Sequence, residues 1–317
     1  MSLYVDDCLF DKLSRKELVC HQQAAFFYII DIVRTNDMNF QKYTWLRDLG
    51  SDAAKVEIAK ASKSLEEHGV ATFPNFLTNA ALREARGESR AKADSAFESN
   101  DKHNIYLLPG RDDSLAGDHV RNRPYATQVA SIAYDELDPN GTLARLYNTQ
   151  TLANLVKKVT GLRSCYHSAD PLGRCSVNVF KDGWKHAWHF DESEYSTTLM
   201  LQKPSEGGIF QYTKPLRDSQ SDMCVDVVER VLDDSIEESN RRVKRKDLVF
   251  EEGTLSIFSG RRSLHRVTDC KGKTRLVAVF TFSEKEGYCN SESVQKLFWG
   301  RTGSEVAATK RAQTAKL

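Results

Sequence analysis

From Ser51 to His68 the apolar residues Ala54, Ile58, Ala61 and Leu65 recur at steps of four, three and four, and lysines and glutamates fill the intervals. That period predicts an amphipathic helix, stopped at Gly69. The next run, VATFPNFL from Val70 to Leu77, is short and β-rich, and Pro74 predicts an edge position or the end of the strand. A second helix is expected from near Thr78, a suitable N-cap, through LREARGESRAKADSAF. Residues 100–130 are polar and punctuated by Pro109-Gly110, Gly117 and Pro124, which predicts a long loop of functional or disordered character. A further helix is expected over Leu143 to Thr160, ending at Gly161.

After Arg174 the pattern shortens. Strand candidates are Cys175 to Phe180, Trp188 to Gln202, Gly208 to Tyr212, Leu248 to Phe250, Thr254 to Phe258 and Arg275 to Phe282, with glycines between them. Many short strands with glycine turns predict a sheet structure closed on itself, a jelly roll. Val225 to Lys246 reads as a charged, solvated insertion with an acidic and a basic half. The fold class expected is α+β: a double-stranded β-helix (jelly roll) core with an N-terminal helical region packed on it. The organisation expected is a helical extension over 1–68, a β-rich domain with its supporting helices over 69–300, and a polar tail over 301–317.

The 317 residues are 40% hydrophobic, enough for a sizeable core, and the formal charge is +1 with no basic half or stripe. Nucleic-acid binding is therefore not expected. The most apolar stretch, Ala24 to Val33, is too short to span a bilayer and carries Asp31; it reads as a buried helix, and no membrane partner is expected. The N-terminus lacks the pattern of a secretory signal, so a cytoplasmic protein is expected. Seven scattered cysteines with no CxxC pair read as reduced thiols rather than a zinc site.

Candidate chemistry centres on Trp188-His189-Phe190-Asp191. In a strand His189 and Asp191 project to one side and can supply two adjacent corners of an octahedral metal site. One more histidine completes a 2-His-1-carboxylate facial triad with three positions open. His265, in a late strand of the same region, is the choice for that ligand. An HxD alone is a weak signal, and the support comes from Arg275, ten residues further on. Alternation puts Arg275 on one face with Val277, Val279 and Thr281, so a guanidinium is expected inside the fold. Its partner is either a ligand carboxylate in a bidentate pair or an internal Asp or Glu. Trp188 and Trp184 flank the site and either meet substrate or pack in the core. His186, at an odd offset from His189, is expected to face away. The loop with Arg121, Arg123 and Tyr125 is either a lid that binds a substrate carboxylate or plain solvated chain.

An HxD, a distal histidine in a Gly-Thr-Leu…Gly-Arg…Leu-His-Arg-Val setting, and an arginine ten residues on resemble the Fe(II)/2-oxoglutarate-dependent oxygenases. The likeness covers about residues 65 to 300, and is strongest in WHFDESEYSTTLMLQ, GGIFQYTKPLR, EEGTLSIFSGRRSLHRVT, RLVAVFTF and LFWGR. Within that superfamily these segments are most similar to the branch of free-amino-acid hydroxylases and radical halogenases. The resemblance implies His189, Asp191 and His265 as iron ligands, Arg275 as the anchor of 2-oxoglutarate, and Asn178 and Thr198 near co-substrate or substrate. It implies Fe(II), 2-oxoglutarate and O2 as cofactors and co-substrates, and a small-molecule substrate, an amino acid or similar polar metabolite. In halogenase members a small residue replaces the carboxylate ligand and chloride takes its place; Asp191 fills that position here, which implies hydroxylation. Two other readings stay open: hydroxylation of a protein side chain, and a non-enzymatic cupin-like binding module. The final Ala315-Lys316-Leu317 is similar to a Ser-Lys-Leu peroxisomal address.

Overall fold

The apolar period of residues 51–68 does form a helix in this computed structural model, which describes residues 37–314. The run over 24–33, Cys8, Cys20 and the closing tripeptide lie outside the described residues. Helix α1 (Asp52–His68) starts where Ser51 Oγ accepts from the Ala54 amide at 3.2 Å, and ends at Gly69 with φ 83°. Strand β1 (Val70–Phe73) stops before Pro74, and α2 (Asn79–Ala93) is capped by Thr78. The helix expected over 143–160 is two: α3 (Thr142–Tyr147) and α4 (Gln150–Thr160). Thr149 Oγ1 accepts from the Leu152 amide and so starts a second helix where one was expected.

The polar stretch 100–130 holds a loop flanked by two strands, β2 (Phe97–His103) and β3 (Tyr125–Ile132). There follow β4 (Tyr166–His167), β5 (Cys175–Phe180), β6 (His186–His189), β7 (Ser196–Gln202), β8 (Glu206–Gly207), β9 (Phe210–Tyr212), α5 (Val225–Leu232), β10 (Lys246–Leu248), β11 (Leu255–Phe258), β12 (His265–Val267), β13 (Cys270–Lys271), β14 (Arg275–Ser283), α6 (Glu292–Trp299) and α7 (Gly303–Thr314). The charged insertion is thus not wholly solvated: Val228 and Val231 of α5 are buried, and Arg241 is buried with its guanidinium on the Val231 carbonyl at 3.1 Å. Residues 303–314, expected as a polar tail, are helical.

The architecture combines helices with antiparallel sheets. One sheet runs β1-β11-β7-β14-β5-β3-β2, with β4 also on β14; a second runs β10-β9-β12-β6. Strand alternation splits the large sheet into two chemistries. Val177, Val179, Leu199, Leu201, Leu255, Ile257, Leu276 and Ala278 enter a core shared with Leu65, Ala81, Leu143, Leu152 and Leu155 of the helices. The alternate residues Asn178, Thr198, Ser256, Arg275, Val277 and Val279 face a cavity, which His189, Phe210 and His265 of the small sheet also line. The apolar face binds the helices, and the mixed face is left for chemistry. No described helix is long and apolar enough to cross a membrane. The five described cysteines are free thiols.

Candidate metal centre and co-substrate cavity

His189 and His265 are direct register partners across β6 and β12. Asp191 lies just past the end of β6, its amide bonded to the Gly260 carbonyl at 3.1 Å, while the preceding Phe190 amide bonds the Ile105 carbonyl at 2.7 Å. These bonds fix the chain so that Asp191 Oδ1 stands 3.4 Å from His189 Nε2 and 3.3 Å from His265 Nε2. The three side chains are the only group of three or more potential metal ligands found close together among the described residues.

Each imidazole is oriented by its own strand. His189 Nδ1 lies 2.8 Å from the Ala187 carbonyl and His265 Nδ1 3.0 Å from the Ser263 carbonyl. A carbonyl only accepts, so each Nδ1 carries a proton, and that bond turns each Nε2 toward Asp191. Burial, then the neighbouring His265, lowers the His189 pKa, which keeps that ring neutral. Burial works to raise the Asp191 carboxyl, but His265 and His189 outweigh it and hold the group well below the usual carboxylate range. Two imidazole nitrogens and one carboxylate oxygen form a donor set that fits Fe(II).

A carbon at Gly260 would land on Asp191 Oδ2, so the carboxylate occupies the space that any larger residue would need. Gly260→Ala is expected to displace Asp191 and lower Fe(II) affinity about tenfold or more, the scale of losses seen when support of a ligand fails. Calorimetric Fe(II) titration checks this.

Arg275 is 2% exposed and lies in the same cavity, its guanidinium 5.1 Å from the centre of the Phe180 ring. Its Nε has no hydrogen-bond partner, and no Asp or Glu among the described residues pairs with it. Burial pulls its pKa down to about 10. Gly208 (φ 59°) lets the chain pass close by; a Cβ there would sit 3.1 Å from Arg275 Cδ and 3.0 Å from Cys270 Sγ. A buried, unpaired guanidinium fits the far carboxylate of a dicarboxylic 2-oxo acid. Asn178 and Thr198 also line this cavity; Thr198 Oγ1 meets Ser256 Oγ at 2.7 Å, and Asn178 Oδ1 accepts from Ser131 Oγ at 3.3 Å.

Three expected substrate residues lie elsewhere. Trp188, opposite in alternation to His189, packs with Ile105, Val120 and Leu264 and carries the Arg266 guanidinium on its ring at 4.8 Å. Arg121 is buried but spends its guanidinium on the Gly110 and Pro109 carbonyls, each at 3.0 Å. Arg123 pairs with Glu229 of α5 at 2.8 Å. The two arginines line a separate outer cavity, which shares Leu107 and Val294 with the inner one. Trp184 is partly buried, packed against the core with the Lys181 ammonium 5.1 Å from its ring centre.

His186 faces the cavity, contrary to expectation. The β6–β12 register shifts between the His265 and Val267 pairings, and the irregularity restores His186 to the His189 side. Its ring stacks on His189 with centroids 3.9 Å apart, and its Nε2 is buried without a partner among the described residues. Trp299, at the end of α6, also lines the cavity with its indole N–H unpartnered. The sequence carried the same kind of signal for Trp299, in the LFWGR segment, and for Ser196, in WHFDESEYSTTLMLQ, but gave neither a role; the Ser196 hydroxyl reaches Asp191 Oδ2 at 2.6 Å.

A family model described as halogenase D matches residues 53–297. No curated protein matches the chain. Among solved structures, the chain is similar to an oxidoreductase of the 2OG-Fe(II) oxygenase family from Burkholderia pseudomallei, at 15% identity over 72% of this chain and 91% of that one, TM-score 0.44. A Pseudomonas putida prolyl-4-hydroxylase is similar at 16% identity over 71% and 98% of the two chains, TM-score 0.41. The α-ketoglutarate-dependent epimerase SnoN from nogalamycin biosynthesis is similar at 12% identity over 72% and 81%, TM-score 0.48.

Proposed function

The chain belongs to the halogenase D family, and on that premise we propose that it is an Fe(II)- and 2-oxoglutarate-dependent oxygenase that hydroxylates a free amino acid or a similar small polar metabolite. The observation that carries this reading is Arg275: a guanidinium buried without an acidic partner among the described residues, in one cavity with a His–Asp–His donor set. A buried charge left unpaired is costly, and a ligand carboxylate relieves that cost. A cupin-like module with no 2-oxo acid to hold has no use for it. In this reading the two antiparallel sheets are the halves of a jelly roll, closed around the cavity.

His189, Asp191 and His265 would hold the metal. With Fe(II) and 2-oxoglutarate bound, the site would have O2-activating chemistry available for hydroxylating a substrate C–H bond, coupled to conversion of the co-substrate to succinate and CO2. The chain's own contribution is placement. Arg275 orients the distal carboxylate, and Thr198 and Asn178 offer hydrogen bonds beside it. Phe180, Phe210, Val267 and Val277 keep that end apolar. His186 Nε2 and the Trp299 indole N–H, both without a partner among the described residues, are polar groups available to a polar substrate.

Halogenase is the family's description, yet hydroxylation is the outcome proposed here, because the Asp191 carboxylate fills a corner of the donor set. A succinate-release screen of the Fe(II)-loaded protein against free amino acids and small polar acids, with product masses recorded, tests the reading. The expected result is substrate-dependent succinate with a product heavier by one oxygen. Release that no substrate stimulates, or a chlorinated product, would overturn it.

A further inference from the structure

Asp191 has two oxygens, and the structure treats them differently. Oδ1 faces His189 Nε2 and His265 Nε2 at 3.4 and 3.3 Å. Oδ2 accepts the Ser196 hydroxyl at 2.6 Å and lies against the Cα of Gly260. Because a carboxylate only accepts, the Ser196 proton points at Oδ2. Ser193 Oγ, 3.2 Å from Ser196 Oγ, must then donate to it, so the two hydroxyls form a directed chain ending on Asp191. Ser196 itself is fixed, with its backbone in register with Phe258 of β11 and Thr281 of β14.

We propose that Ser196, with Gly260 beside it, is a positioning residue that keeps Asp191 a one-oxygen donor. Oδ2 is held by a hydrogen bond on one side and by backbone on the other, so the carboxylate cannot turn to offer both oxygens to a metal. The consequence is a count of donors: three protein atoms leave three of six octahedral positions, enough for a chelating 2-oxo acid and O2, whereas a fourth protein atom leaves two. Ser196 thus governs co-substrate binding without touching the co-substrate. The inference rests on the iron and 2-oxoglutarate reading above.

The test compares Ser196→Ala, Ser196→Cys and Ser196→Thr with the unsubstituted protein, without oxygen, by Fe(II) calorimetry and by the visible absorption band that a 2-oxo acid chelated to Fe(II) produces. Cys preserves the side-chain shape with a weak donor, and carries the test if Ala does not fold. Ala and Cys are expected to bind one Fe(II), to bind 2-oxoglutarate about ten- to hundredfold more weakly, the span of one charge-assisted hydrogen bond, and to lose or shift the band. Thr, which retains the hydroxyl, is expected to restore both. Unchanged 2-oxoglutarate affinity and band in Ala and Cys would overturn the role of Ser196 alone. Loss of iron by both variants would also overturn it, since Ser196 would then support the ligand rather than its denticity. An unsubstituted protein that shows no band with Fe(II) and 2-oxoglutarate overturns the parent reading as well.

Discussion

Replacing His265 by alanine is expected to lower Fe(II) affinity by at least about a hundredfold. Loss of a hydrogen-bonding group that merely supports a ligand costs about 10- to 100-fold in metal affinity, and His265 is proposed to donate directly. Its Nδ1–H on the Ser263 carbonyl fixes the ring so that only Nε2 faces Asp191. Alanine leaves one imidazole and one carboxylate, too few to hold the metal against water. The control is His186→Ala. That ring stacks on His189 but lies outside the three-residue donor group, so stoichiometric iron is expected to remain. Metal analysis after gel filtration reads both variants, and iron retained by His265→Ala would remove the assignment.

Arg275→Ala is expected to leave iron in place and raise the 2-oxoglutarate requirement by about a hundredfold or more. Each hydrogen bond to a charged group contributes roughly 1.5–3 kcal/mol, and a bidentate guanidinium–carboxylate pair makes two. A second consequence has the opposite sign. In the ligand-free protein this guanidinium is buried with no acidic partner among the described residues, so Arg275→Met is expected to raise the melting temperature as it weakens co-substrate binding. A structural salt bridge would give the reverse, a lower melting temperature with co-substrate affinity intact. Thermal unfolding of the ligand-free protein, measured alongside 2-oxoglutarate titration, separates the two.

The parts of this site that follow a strict period were legible in the sequence. Alternation along β14 put Arg275 on one face with Val277, Val279 and Thr281, and all four line the cavity. Helix α1 was readable from its apolar steps and its glycine stop because cap and period agree. Where local geometry breaks the period, reading failed. The irregularity between β6 and β12 put His186 on the unexpected face, and no single-chain pattern announces a defect that belongs to a pair of strands. Strand β2 was hidden because it lies at the sheet edge and buries only Ser99 and His103, leaving FESNDKH too polar to read as a strand. Arg121 and Arg123 were singled out by residue type alone; in a loop nothing periodic says where a guanidinium points, and theirs point at backbone carbonyls and Glu229.

One cavity is proposed to hold Fe(II) through His189, Asp191 and His265 and 2-oxoglutarate through Arg275. Equilibrium dialysis of labelled 2-oxoglutarate without oxygen, with and without Fe(II), tests it most directly. One co-substrate is expected to bind per chain when one Fe(II) is bound, with binding sharply weakened when either the metal or the Arg275 guanidinium is removed. Binding that is equally tight without iron, or unchanged in Arg275→Met, would contradict it.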